Sequence, residues 1–67
     1  MRITVNGEAR EVEDGLSVRG LLAQLSIKEG RVAVEVNLAV IRRDRLADRV
    51  LREGDQVEIV SFVGGGV

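Results

Sequence analysis

At 67 residues the chain has room for one domain, and its 45% hydrophobic and 31% charged residues give the balance of a small globular fold. It contains neither cysteine nor histidine, which excludes disulfides, thiolate nucleophiles, sulfur-liganded zinc and the usual general base near neutral pH, and so argues against a self-contained hydrolase or redox enzyme. Ten basic residues, all arginine except Lys28, nearly cancel eleven acidic ones to a net charge of -1, leaving no broad field to attract nucleic acid, and no segment approaches the roughly 18 apolar residues of a membrane span.

The N-terminal residues Met1-Arg2-Ile3-Thr4 lead into a polar turn without the apolar core of a secretory signal, and a soluble, cytoplasmic protein is expected. Ile3 and Val5 alternate with Arg2 and Thr4 as far as Asn6-Gly7. This dipeptide favours a type I′ turn because both residues tolerate positive φ, so a hairpin returning through residues 8–13, with Ala9 and Val12, is predicted. Beyond Asp14-Gly15 the period changes. Val18, Leu21, Leu22 and Leu25 fall at i, i+3, i+4 and i+7, the apolar stripe of an amphipathic helix, with Ser17 as its N-cap. Gly20 replaces the acidic partner of a capping box and costs on the order of 1 kcal/mol relative to alanine, which close backbone packing at that point would explain.

Residues 31–37 carry valine at every second position and read as a half-buried strand, with Ala33, Glu35 and Asn37 on its other face. Val40-Ile41 suggests a short edge pairing, and residues 43–49 suit one or two helical turns. A Gly54-Asp55 turn introduces a last strand over residues 57–63. Val57, Ile59 and Ser61 share one of its faces and Glu58, Val60 and Phe62 the other, so both faces become apolar toward its end. These elements imply an α+β fold, a mixed sheet of four to five strands with one helix packed across it. The crossover helix requires a parallel pairing of the first strand with the last or the third. Residues 1–63 are expected to form the domain, and residues 64–67, with three consecutive glycines, a flexible tail.

Two readings of Phe62, the only aromatic residue, follow from its register. It fills the core, or with Val60 it forms an apolar patch on the open sheet face that docks partner proteins. Arg42, Arg43, Arg45, Arg49 and Arg52 interleave with Asp44, Asp48 and Glu53 and lack stacking aromatics, so they read as a solvated or partner-facing surface and not as a nucleic-acid site. Glu11, Glu13 and Asp14 read as a solvated turn, and no metal site is expected.

In sequence order, Val5-Asn6-Gly7-Glu8, Asp14-Gly15-Leu16-Ser17-Val18 with Leu21-Leu22, Val32-Ala33-Val34-Glu35-Val36-Asn37, and Leu51-Arg52-Glu53-Gly54-Asp55 leading to Phe62-Val63-Gly64-Gly65-Gly66 cover nearly the whole chain. Their order and spacing resemble the ubiquitin-like β-grasp fold, and within it the ThiS family of thiamine-biosynthesis sulfur carriers. The resemblance implies a carrier, not an enzyme, with no bound cofactor. The C-terminal glycine is adenylated with ATP by a ThiF-type activating enzyme and takes sulfur from a persulfide donor such as a cysteine desulfurase. As a thiocarboxylate it then supplies sulfur to a ThiG-type thiazole synthase. It makes Gly66 the acyl carrier, Gly65 its conjugated neighbour, and Gly64 with Val60, Phe62 and Val63 the segment that partners hold. Val67 departs from the family pattern, in which the glycine itself is terminal. It is trimmed before activation, or foreign to the natural chain, or the sign of a different chemistry, in which order the third ranks last. The same fold and tail serve carriers for molybdopterin or cysteine synthesis and ubiquitin-like protein modifiers, and a plain β-grasp binding module remains a further alternative.

Overall fold

A computed structural model describes residues 1–62. The expected tail and Val63 lie outside the described residues. Strands β1 (Arg2–Val5) and β2 (Glu8–Glu11) form the N-terminal hairpin, closed by Asn6 (φ 51) and Gly7 (φ 85) in the left-handed region that the turn requires. The second strand stops two residues short of the expected end, but Val12 still exchanges hydrogen bonds with Met1: Val12 N–H donates to Met1 O at 2.9 Å and the terminal ammonium to Val12 O at 2.7 Å.

Helix α1 (Val18–Gln24) buries Val18, Leu21 and Leu22, while Leu25 caps it and packs at the margin of the core. Ser17 is the N-cap, its hydroxyl accepting from Gly20 N–H at 3.0 Å. The first two amides of the helix find partners elsewhere, since Val18 N–H donates to Arg49 O and Arg19 N–H to Leu46 O, both at 2.9 Å. Helix termini leave such donors unpaired, and here the irregular segment before β5 supplies the acceptors. Gly20 has the expected packing reason. A Cβ on it would meet Leu16 Cδ1 at 2.6 Å, so the glycine lets the buried Leu16 lie against the helix backbone.

Strand β3 (Val32–Val36) is one residue shorter at each end than expected, because Arg31 closes a 3-10 turn (Glu29–Arg31) and Asn37 takes φ 54. Strand β4 (Ala39–Ile41) is the short edge pairing, antiparallel to β3 across a two-residue turn of Asn37 and Leu38. Residues 43–49 contain one 3-10 turn, Arg43–Arg45, followed by turns that return to Arg45 O and bury Leu46. Strand β5 (Gln56–Ser61) begins one residue before the expected range.

The five strands lie in the order β2-β1-β5-β3-β4, with β1 parallel to β5 and every other pair antiparallel. The last strand is therefore central and pairs with the first, as the crossover helix required. Ile3, Val34, Val36 and Val57 face α1 across a core completed by Val12, Leu16, Val32, Leu46 and Leu51, and this sheet with one helix across it is the β-grasp arrangement. Among the described residues no helix is long and apolar enough to cross a membrane.

Candidate functional site

The expected reactive residues Gly65 and Gly66, and the partner-binding Val63 and Gly64, lie outside the described residues, so the site is visible at its base, where β5 ends. Val57 is fully buried on the helix side of β5. Alternation then places Val60 (55% exposed) and Phe62 (58% exposed) on the opposite, open face. The core reading of Phe62 is thereby corrected. Among the described residues the one α-helix lies on the other side of the sheet, and Phe62 is left more than half exposed. Val60 sits opposite Ala33 on β3 and the Glu35–Val40 pair lies one row along, giving a face with apolar positions at Ala33, Val40, Val60 and Phe62 beside Glu35 and Glu58.

Backbone contacts fix this base. Phe62 N–H donates to Arg31 O at 3.0 Å, holding the last described residue to the chain that enters β3. On the other side of β5 the strand β1 has already ended, and the Asn6 side chain takes over its ladder. Asn6 Oδ1 accepts from Ile59 N–H at 2.8 Å and Asn6 Nδ2 donates to Ile59 O at 3.3 Å, while Asn6 N–H donates to Val57 O at 2.8 Å. The carboxamide thus imitates one further residue of a parallel strand. Asn-Gly signalled the turn, but its second task, on a strand 53 residues away, left no local sign.

A second polar cluster underlies the start of β5. Asp55 is 7% exposed. Its carboxylate accepts from Asn37 Nδ2 at 3.0 Å, from Arg52 N–H at 2.9 Å and from the Arg49 guanidinium at 3.4 Å. Asn37 in turn accepts from Gln56 N–H at 2.9 Å, so one network joins the β3–β4 turn to the start of β5. Burial raises the Asp55 pKa, but the hydrogen bonds from Asn37 and Arg52 and the Arg49 charge outweigh it and hold the carboxyl below its ordinary value of 3.8. Glu13 is also held low by its hydrogen bond from Gln24 and by its own backbone amide.

Among the described residues no group of three His, Cys, Asp or Glu side chains could hold a metal ion. The described chain presents surfaces and a well-held strand end, and its polar clusters are occupied in joining backbone segments.

Comparison with known proteins agrees with this geometry. The ThiS family model matches residues 3–66. The chain is 46% identical over 66 residues to a thiazole synthase of Magnetococcus marinus, a match that takes in 98% of this chain and 20% of that protein, so the chain spans about a fifth of that relative's length. It is 34% identical over 64 residues to the sulfur carrier protein ThiS of Thermus thermophilus, covering 96% of this chain and 98% of the relative. The crystal structure of the thiamine biosynthesis protein ThiS from Geobacter metallireducens superposes with a TM-score of 0.86 at 36% identity, over 98% of this chain and 100% of that one. The same order of elements, over matches that span nearly the whole chain, means that the chain belongs to the ThiS family.

Proposed function

We propose that this chain is a sulfur carrier for thiazole formation in thiamine biosynthesis, acting as a covalent co-substrate with no catalytic pocket of its own. The observation that supports this most directly is the extent of the family match, which runs through the three glycines and ends at Gly66. In this reading Val67 is removed before activation and the Gly66 carboxylate is the reacting group. A ThiF-type enzyme joins it to the adenylyl group of ATP with release of pyrophosphate, converting a poor acyl electrophile into a mixed anhydride. The terminal sulfur of a persulfide then bonds to the acyl carbon as AMP leaves, and a thiol cleaves the S–S bond of the resulting acyl disulfide, forming a disulfide with the donor's inner sulfur and releasing the thiocarboxylate. The thiocarboxylate is delivered to a ThiG-type thiazole synthase, a partner suggested by the similarity of this chain to part of a larger thiazole synthase.

The chain's own residues contribute in two ways. Gly64 and Gly65 carry no side chains, so the Gly66 carboxylate can enter the narrow sites of two enzymes in turn. Val60 and Phe62 offer exposed apolar surface at the base of that segment, next to Val63 in sequence, and a partner gains by covering that ring and those methyls. The test is growth. A strain lacking its thiamine sulfur carrier should grow without added thiamine when given the chain ending at Gly66, and failure of a well-expressed chain to restore growth, beside a working family member, would contradict the assignment.

A further inference from the structure

The sheet ends at β4, and beside this edge runs a groove of about 390 Å³ lined by Val40, Ile41, Arg42, Arg45, Asp48 and Arg49. Its lining includes neither Val60 nor Phe62, and the proposed carrier chemistry does not need it.

Two observations specify what fits there. The first is backbone geometry. Asn37 N–H donates to Gln56 O and Phe62 N–H to Arg31 O, so the odd residues of β3 point their amides toward β5 and the even ones toward β4. Val34 and Val36 therefore bond Ile41 and Ala39, and the intervening Val40 turns its N–H and C=O away from β3 to the outer edge. Arg42 continues in extended conformation (φ -64, ψ 150) but its C=O accepts from Arg45 N–H at 2.8 Å, so the outer edge offers chiefly the N–H and C=O of Val40 to a short added strand.

The second is charge. Three arginines and one aspartate line the groove. Arg49 is held in place by the buried Asp55. Among the described residues Arg42 and Arg45 pair only with Asp44 at 3.3 Å and Asp48 at 3.9 Å, all four side chains being more than half exposed. Exposed pairs of this kind contribute little, so both guanidinium groups can turn to other carboxylates at small cost, and an arginine gains most from a carboxylate that it can grip with two N–H groups.

We propose that the β4 edge receives an extended acidic segment of a partner protein, which adds a strand through the N–H and C=O of Val40 and sets its carboxylates against Arg42 and Arg45. A second copy of this chain joined β4 to β4 would instead bring arginines against arginines, which the charge disfavours.

The test uses the full-length, isotope-labelled chain and a short synthetic peptide in which valine and glutamate alternate, with a valine-lysine peptide as control. The acidic peptide should shift the amide signals of residues 39–42 saturably and slow exchange of the Val40 amide about tenfold, while the basic peptide does neither. Val40→Pro removes only an outward N–H, which an edge strand tolerates, and should abolish binding. The double variant Arg42→Glu with Arg45→Glu changes only exposed side chains and should weaken binding about tenfold or more. It decides alone should the proline variant not fold. No saturable shift, shifts centred on Val60 and Phe62 or on β2, binding that survives the arginine changes, or self-association of the chain through β4 in the absence of peptide would each overturn the proposal. None of these outcomes bears on the tail chemistry, because nothing in the experiment requires activation.

Discussion

Asp55 is the one charged side chain buried among the described residues, and it stays charged because three donors converge on it. Asp55→Asn keeps the shape but loses the charge-assisted bonds and turns an amide donor toward the Arg52 N–H. The expected cost is about 1.5–3 kcal/mol at neutral pH, measured by denaturant unfolding. The pH dependence has a definite sign. With its folded pKa lowered, Asp55 takes up a proton more readily in the unfolded chain than in the folded one. Its contribution is therefore complete above the ordinary aspartate value of 3.8 and is lost as the pH falls through the lower folded value. The stability gap between the native chain and Asp55→Asn should shrink over that acid range. A gap that stays constant would mean that the charge has no part in it. At Phe62 the expectation is opposite in kind. Its ring is mostly exposed, so Phe62→Ala should change stability by no more than about 0.5 kcal/mol. It should instead raise the KM for the activating enzyme about tenfold with little change in kcat, as loss of a docking contact does. A fall in kcat alone would remove Phe62 from the docking surface.

Among the elements, those whose residues carry their own instructions were legible in the sequence. Asn6-Gly7 closes the first hairpin, the valines of β3 alternate into the core, and Ser17 caps the helix that Val18, Leu21 and Leu22 bury. The Asn37-Leu38 turn was not legible, because a leucine at φ 72 contradicts its local preference and the turn is imposed by the pairing of β3 with β4 and by the bonds Asn37 makes to Asp55 and Gln56. Asp55 itself followed a glycine and read only as part of a turn, since its bond from Asn37, 18 residues away, left no local sign. The face of Phe62 was undecided for a similar reason. Alternation says which residues share a face, but only the placed helix says which face is covered. The strain at Leu38 gives a direct prediction. Its side chain is 86% exposed and contributes little packing, so Leu38→Gly makes the favoured Asn-Gly turn and should stabilise the chain by about 1 kcal/mol in thermal or denaturant unfolding. A loss of stability would mean that Leu38 makes contacts its exposure does not suggest.

At the scale of the whole molecule, the order β2-β1-β5-β3-β4 gives the last strand the best-supported position in the sheet. β5 is bonded by β3 on one side, as far as Phe62, and by β1 and then the Asn6 side chain on the other, as far as Ile59. A carrier that presents its terminus to successive enzymes benefits from such a base, since docking on the sheet then fixes where the reacting carboxylate begins its reach. The chain contains no cysteine or histidine, and the carrier reading places its chemistry at the terminal acyl group, with catalysis supplied by the partners. That claim is tested most directly by intact-mass measurement of the chain ending at Gly66 after incubation with ATP, a ThiF-type enzyme, a persulfide donor and a thiol reductant. The account predicts a gain equal to the exchange of one oxygen for one sulfur, carried on the C-terminal fragment and dependent on ATP. An unchanged mass under conditions that convert an established family member would contradict it.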